Sequence, residues 1–199
     1  MKKKNLLYVS ALCACMSFSF MGCSDDDDKQ EIPSLPEQIS LNGVYVLNSG
    51  NKGNNNSSLS FYDFETKKVE ADIFKKVNGR GLGDTANDIL VYGSKAYIAV
   101  TNSNTIEVID LQGKSLKQIV SDGDPLQPRF FSCYNGKVYV SLYGGYVARL
   151  DTTSLTIESK VKVGRNPEQM AIANNKLYVA NSGGADFNTA VGYDKTVSV

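Results

Sequence analysis

Beyond residue 42, apolar and polar residues alternate along most of the chain with a period of two, as in Thr105-Ile106-Glu107-Val108-Ile109-Asp110. Such alternation sends one face of each segment into a core, so it predicts a succession of short strands with almost no helix. Four of these strands are built around tyrosine: Tyr45-Val46-Leu47-Asn48, Tyr97-Ile98-Ala99-Val100, Tyr139-Val140-Ser141-Leu142 and Tyr178-Val179-Ala180-Asn181. Tight-turn residues precede three of them, at Gly93-Ser94-Lys95, Asn135-Gly136-Lys137 and Asn174-Asn175-Lys176. The first three are followed by a second strand ending in aspartate: Phe61-Tyr62-Asp63, Val108-Ile109-Asp110 and Ala148-Arg149-Leu150-Asp151.

The tyrosines lie about 52, 42 and 39 residues apart, which is the repeat length of one four-stranded propeller blade. The expected fold is therefore all-β, an incomplete β-propeller of about three and a half four-stranded blades. Blade one is placed at Asn42 to Phe74 without an innermost strand, blade two at Ala86 to Val120, blade three at Arg129 to Val163, and blade four from Glu168 onward. Thr196-Val197-Ser198-Val199 reads as the third strand of blade four. Three and a half blades do not close a ring of four to eight, and an open array leaves strand edges unpaired. The chain is accordingly expected to be the amino-terminal part of a longer propeller.

The residues before the first strand have another character. Lys2-Lys3-Lys4 followed by the apolar run Leu6 to Phe20 reads as a secretory signal peptide over residues 1–22, too short for a membrane span. Met21-Gly22-Cys23 resembles a bacterial lipobox, with Phe20 and Met21 departing from its usual residues, and it makes Cys23 the expected lipidated first residue. Ser24-Asp25-Asp26-Asp27-Asp28 resembles the acidic export signal of surface lipoproteins in the Bacteroides group. The same run also reads as a self-repelling solvated tether, and Asp25 to Lys29 matches a common protease tag. Residues 23–41, with Ile32-Pro33-Ser34-Leu35-Pro36, form a spacer, and the folded domain is residues 42–199.

Composition removes several chemistries. There is no histidine, which excludes a Ser-His-Asp triad, a Cys-His pair and histidine metal ligands. Cys13 and Cys15 leave with the signal peptide and Cys23 takes lipid, so Cys133 stands alone in the folded part as a small apolar residue of a strand. The 21 basic and 21 acidic residues become 18 and 21 without Lys2, Lys3 and Lys4, a net charge of −3. Nucleic acid is not an expected partner. Asp84, Asp88 and Asp186 match no calcium-loop spacing, so no metal or cofactor is expected.

Loop lengths separate the two faces of the array. Short hairpin turns join first to second and third to fourth strands on one face. The longer second-to-third and inter-blade connections gather on the other, the preferred place for binding groups on a rigid scaffold. Arg80, Arg129 and Arg165 each fall in an inter-blade connection, and three guanidinium groups near one opening suit carboxylate, amide or phosphate. Asn48, Asn102 and Asn181 follow tyrosine strands and offer both donors and acceptors. Asp84 and Tyr143 complete the candidate ligand-binding set. Each of these side chains has a plain structural alternative, an inter-blade salt bridge for an arginine or a turn cap for an asparagine. Gly144-Gly145 and Gly183-Gly184 are expected at positive φ.

Thr-Ile-Glu-Val-Ile-Asp and Thr-Val-Ser-Val after tyrosine strands, with Val161-Lys162-Val163-Gly164-Arg165-Asn166-Pro167-Glu168, resemble the YVTN repeat of lactonase-like and surface-layer-type propellers. The resemblance covers about Gly43 to Val199. More narrowly, the lipoprotein start, Ser58-Leu59-Ser60-Phe61-Tyr62-Asp63, Gly79-Arg80-Gly81-Leu82-Gly83-Asp84-Thr85 and Tyr178-Val179-Ala180-Asn181-Ser182-Gly183-Gly184 resemble the Bacteroides surface lipoproteins that capture cobalamin. That resemblance implies a seven-bladed ring, a lipid-anchored, surface-exposed protein of the outer membrane, a corrinoid ligand on one face, and a TonB-dependent outer-membrane transporter as partner. Binding rather than catalysis is the expected role, because a lactonase-like enzyme needs a base or a metal-held water and only carboxylates such as Asp84 or Glu168 remain. A protein-interaction scaffold shares the fold.

Overall fold

A computed structural model describes residues 42–121, 123–184 and 189–199. The signal peptide, Cys23, the acidic run and the spacer all lie outside the described residues, as does Asp186.

Four antiparallel sheets follow one another in chain order. The first holds β1 (Gly43–Asn48), β2 (Ser58–Asp63) and β3 (Val69–Glu70). The second runs β4 (Ala86–Tyr92), β5 (Lys95–Val100), β6 (Thr105–Asp110) and β7 (Ser115–Val120). The third runs β8 (Pro128–Tyr134), β9 (Lys137–Leu142), β10 (Tyr146–Asp151) and β11 (Thr156–Lys162). The fourth holds β12 (Pro167–Ala173), β13 (Lys176–Asn181) and β14 (Thr196–Ser198). The innermost strands β4, β8 and β12 lie against one another, so the sheets fan around an axis as propeller blades. Among the described residues blade one shows no innermost strand, as the repeat predicts: its tyrosine strand β1 aligns with β5, β9 and β13 rather than with β4.

Within a strand the side chains alternate between faces, and that alternation gives the recurring tyrosine a use. Tyr45 and Leu47 pack against a core cluster that includes Ile98 and Val100 of blade two, and Tyr97 shares a core cluster with Val138 and Val140 of blade three. The tyrosine is thus a wedge aimed at the next blade. The Tyr45 hydroxyl donates to the Leu111 carbonyl at 2.5 Å, whereas the fully buried Tyr97 hydroxyl has no partner. Burial pushes the Tyr45 phenol up to about 12, with Asp110 adding to the rise.

The aspartate ending the third strand caps the turn that follows. Asp63 Oδ1 accepts the Glu65 and Thr66 amides at 2.8 and 2.7 Å, and Asp151 Oδ1 accepts those of Thr153 and Ser154 at 2.9 and 2.7 Å. Asp110 repeats the arrangement with Gln112 and Lys114. Asn135-Gly136 and Asn174-Asn175 have positive φ at both turn positions, the mirror-type hairpin turn that matches strand twist.

Two local expectations need correction. Helix α1 (Ile73–Asn78) closes blade one where only strands were expected. Asp72 accepts the Lys75 amide at its start, Gly79 ends it at φ 67, and Ile73 and Phe74 fill the core. Six residues with one buried pair leave no periodic signature long enough to be read. Of the four paired glycines, Gly145, Gly183 and Gly184 have positive φ, but Gly144 does not.

Candidate functional site

Each inner strand begins with the same irregularity. Thr85, Gln127 and Asn166 adopt left-handed backbone at φ 59, 42 and 47, and the ladder to the next strand slips just beyond them. A bulge re-aims side chains, and here it does so at one repeat position: Asn87, Arg129 and Glu168. These three residues stand at the start of β4, β8 and β12, on the face that receives the longer connections.

They are joined across blades. The Asn87 amide donates to the Arg129 carbonyl at 2.8 Å. The Arg129 guanidinium pairs with both Glu168 oxygens, Nε to Oε2 at 2.9 Å and Nη2 to Oε1 at 3.3 Å. It also lies 4.6 Å from the centroid of the Tyr143 ring, whose hydroxyl donates to Glu168 Oε1 at 2.7 Å. Burial and the Glu168 carboxylate push the Tyr143 phenol up to about 12. Beside them Asp88 accepts the Phe131 amide at 2.8 Å, and its burial raises its pKa. Inner strands of neighbouring blades share no ladder, so these side chains satisfy the backbone groups that a sheet partner would otherwise meet.

The other expected site residues are placed as follows. Arg80 turns into its own blade pair: it donates to the fully buried Glu107 at 2.8 Å and to the Ser115 hydroxyl at 3.1 Å, over the Phe74 ring. Arg165 Nη2 donates to the Gly192 carbonyl at 3.0 Å and its amide to Asp194 at 2.9 Å. Arg129 belongs to strand β8 itself rather than to the connection before it. Asp84 accepts the Gly53 amide and the Thr85 hydroxyl, and Asn102 donates to the Thr85 hydroxyl at 3.1 Å. Asn48 and Asn181 play one role in two blades. Asn48 Nδ2 holds the Ser58 and Ser60 hydroxyls at 3.2 and 3.3 Å, and Asn181 Nδ2 holds those of Thr196 and Ser198 at 3.0 Å each. Asn102 lies in the turn beyond β5 and is not their equivalent, since Val100 occupies that place.

The structure therefore brings Arg129 and Tyr143 together and adds Glu168, Asn87 and Asp88. The available signal was the offset after each inter-blade turn, where Asn87, Arg129 and Glu168 recur one residue past Ala86, Pro128 and Pro167. Among the described residues no three metal-binding carboxylates or cysteines converge. A cleft of about 600 Å³ lies elsewhere, between blades three and four, lined by Tyr139, Val147, Val161, Leu177 and Val179.

A family model described as a domain of unknown function, DUF5074, matches residues 42–191. No curated protein matches the chain in sequence. Among solved structures, the chain is similar to the computationally designed Ika4 protein, with a TM-score of 0.57 at 11% identity over 80% of this chain and 85% of that one. It is similar to the hydrazine synthase of Kuenenia stuttgartiensis, with a TM-score of 0.53 at 19% identity over 64% of this chain. It is also similar to a protein of unknown function from Bacteroides caccae, with a TM-score of 0.50 at 14% identity over 77% of this chain. The chain spans 37% of the hydrazine synthase chain and 62% of the Bacteroides caccae protein. These likenesses concern the fold.

Proposed function

The chain belongs to the DUF5074 family, and from that premise we propose that its propeller captures a small polar ligand where the inner strands begin. One observation carries the reading: three successive bulges aim Asn87, Arg129 and Glu168 from three blades at one place, with Tyr143 beside them. A bidentate ion pair stacked on an aromatic ring offers both donors and acceptors, and an incoming amide or phosphate can exchange with either half. Catalysis is not part of the proposal, because binding needs convergent polar groups and no general base.

The finer reading is a corrinoid such as cobalamin, whose rim of amides and single phosphate suits those groups. Motif resemblance supports it, and with it a lipid anchor at Cys23, exposure on the outer membrane and hand-over to a TonB-dependent transporter. Calorimetry of the full chain with cyanocobalamin tests the ligand, repeated on Arg129→Ala and Tyr143→Phe. Heat that is lost in both variants supports the reading, and no heat with the unaltered chain overturns the corrinoid. Turnover of a lactone panel by the same preparation would instead favour the hydrolase. Protease shaving of intact cells tests surface exposure separately.

A further inference from the structure

Arg80, Arg129 and Arg165 lie in or beside the inter-blade connections, and each has a carboxylate on it. Arg80 Nη2 donates to Glu107 Oε1 at 2.8 Å, and Arg129 makes its two-point contact with Glu168. Arg165 stands at Asp194, whose Oδ2 accepts the Arg165 amide at 2.9 Å. The pKa of Asp194 is lowered by hydrogen bonds from Thr196 and from that amide, and after them by the Arg165 charge. A guanidinium held in this way is not an open anion site. A free carboxylate or phosphate has to displace one that the fold already keeps in place, and it loses its freedom of movement in doing so.

At Arg129 what remains open is the rim of the ion pair. The guanidinium carries five N–H donors, and only Nε and Nη2 are directed at Glu168. A carboxylate has about four acceptor sites, and the two Arg129 nitrogens with the Tyr143 hydroxyl occupy three of those on Glu168. Asp88 on β4 turns its carboxylate to the Phe131 amide and brings no further cation. The pair is therefore neutral as a unit, with spare donors on one side, a spare acceptor on the other and the Tyr143 ring 4.6 Å from the guanidinium. A carboxamide carries the matching C=O and N–H, whereas an anion meets Glu168 as a like charge.

We propose that this part of the mouth selects an uncharged, amide-bearing ligand over a free anion, and that Glu168 is the residue that sets the selectivity. The inference rests on the ligand-capture reading and narrows it to the amide. Glu168 acts by occupying Arg129. Glu168→Gln keeps the shape and an acceptor for Tyr143 but removes the charge, so it turns the same donors into an anion site.

Heteronuclear NMR of the full chain reads the Arg129 Nε–H signal, assigned by its loss in Arg129→Lys. The probes are succinamide and succinate, which share a carbon skeleton and differ in charge, with inorganic phosphate as a second anion. In the unaltered chain the signal is expected to move with succinamide and to stay in place with succinate and phosphate. In Glu168→Gln it is expected to move with both anions, their affinity raised at least about tenfold by removal of the like charge. Anions that move the signal of the unaltered chain as readily as succinamide overturn the proposal, and that arm needs no variant to fold. An unaltered chain silent to all three probes, or a natively folded Glu168→Gln silent to both anions, overturns it as well. Cyanocobalamin heat separates the two readings: anions accepted with the heat retained remove the selectivity alone, and selectivity without heat removes the corrinoid alone.

Discussion

Arg129 and Glu168 meet edge to edge, Nε to Oε2 at 2.9 Å, and so tie the inner strands of blades three and four where no backbone ladder connects them. Their side chains are only 17% and 15% exposed, so each charge relies on the other for solvation. Removing one leaves the partner unpaired, and Glu168→Ala or Arg129→Ala is expected to destabilise by about 2–3 kcal/mol, below the fully buried case because some water remains. The double variant should cost less than the sum of the two, and urea denaturation of the cycle measures the difference.

One repeat position makes opposite predictions in two blades. Tyr45→Phe removes a hydroxyl bonded to the Leu111 carbonyl and is expected to cost about 1 kcal/mol. Tyr97→Phe removes a buried hydroxyl without a partner, so it is expected to be neutral or stabilising. Tyr97→Ala would instead open a cavity in the core between blades two and three, at about 3–5 kcal/mol. Thermal melts of the three variants rank them.

Acid should unfold the protein through its turn caps. Lys137 and the Ser154 and Thr153 amides hold Asp151 far below the usual carboxylate range, the Thr66 amide lowers Asp63, and the Thr196 hydroxyl lowers Asp194. A lowered folded-state pKa gives stability that is complete above the unfolded value of about 4 and is lost as pH falls through the folded one. Asp88 has the opposite sign: burial raises its pKa, so its contribution is present below about pH 4 and lost as pH rises through the folded value. Asp88→Asn keeps an acceptor for the Phe131 amide and should flatten only that upper limb. A series of melting temperatures against pH separates the two effects.

Gly164 has no room for a side chain. A Cβ there would stand 2.4 Å from Asn181 Cγ and 2.8 Å from its Cβ, and Asn181 is buried and pinned to Thr196 and Ser198. Gly164→Ala is expected to destabilise blade four by about 2–3 kcal/mol. Gly81→Ala, with open space around it, is the neutral control. Chemical denaturation of both variants checks the pair.

The strands and their turns were legible because each rests on neighbours along the chain: alternation for a strand, an Asn-Gly pair for a tight turn; the aspartate at the strand end was legible as a recurring residue, and its capping of the next turn, as at Asp63, came from the structure. Helix α1 was not legible, since one turn and a half carries too few apolar positions. The candidate site was half legible. Arg129 and Tyr143 stood out as polar residues near connections, but Arg80 shared that signature and is held by Glu107, a carboxylate 27 residues away in sequence. Nothing local distinguishes an arginine that turns into the blade from one that faces the mouth.

What the amino-acid order determined is the repeat: a period of two within strands, a tyrosine about every 40 residues, and hence sheets that must stack. What only the folded structure decided is which partners meet across blades. Arg129 with Glu168, Tyr45 with the Leu111 carbonyl and Asn87 with the Arg129 carbonyl are separated by 39, 66 and 42 residues. The physical reason is that a periodic pattern selects which face of a strand is buried. The identity of the group opposite depends on the twist and bulges that set one blade against the next.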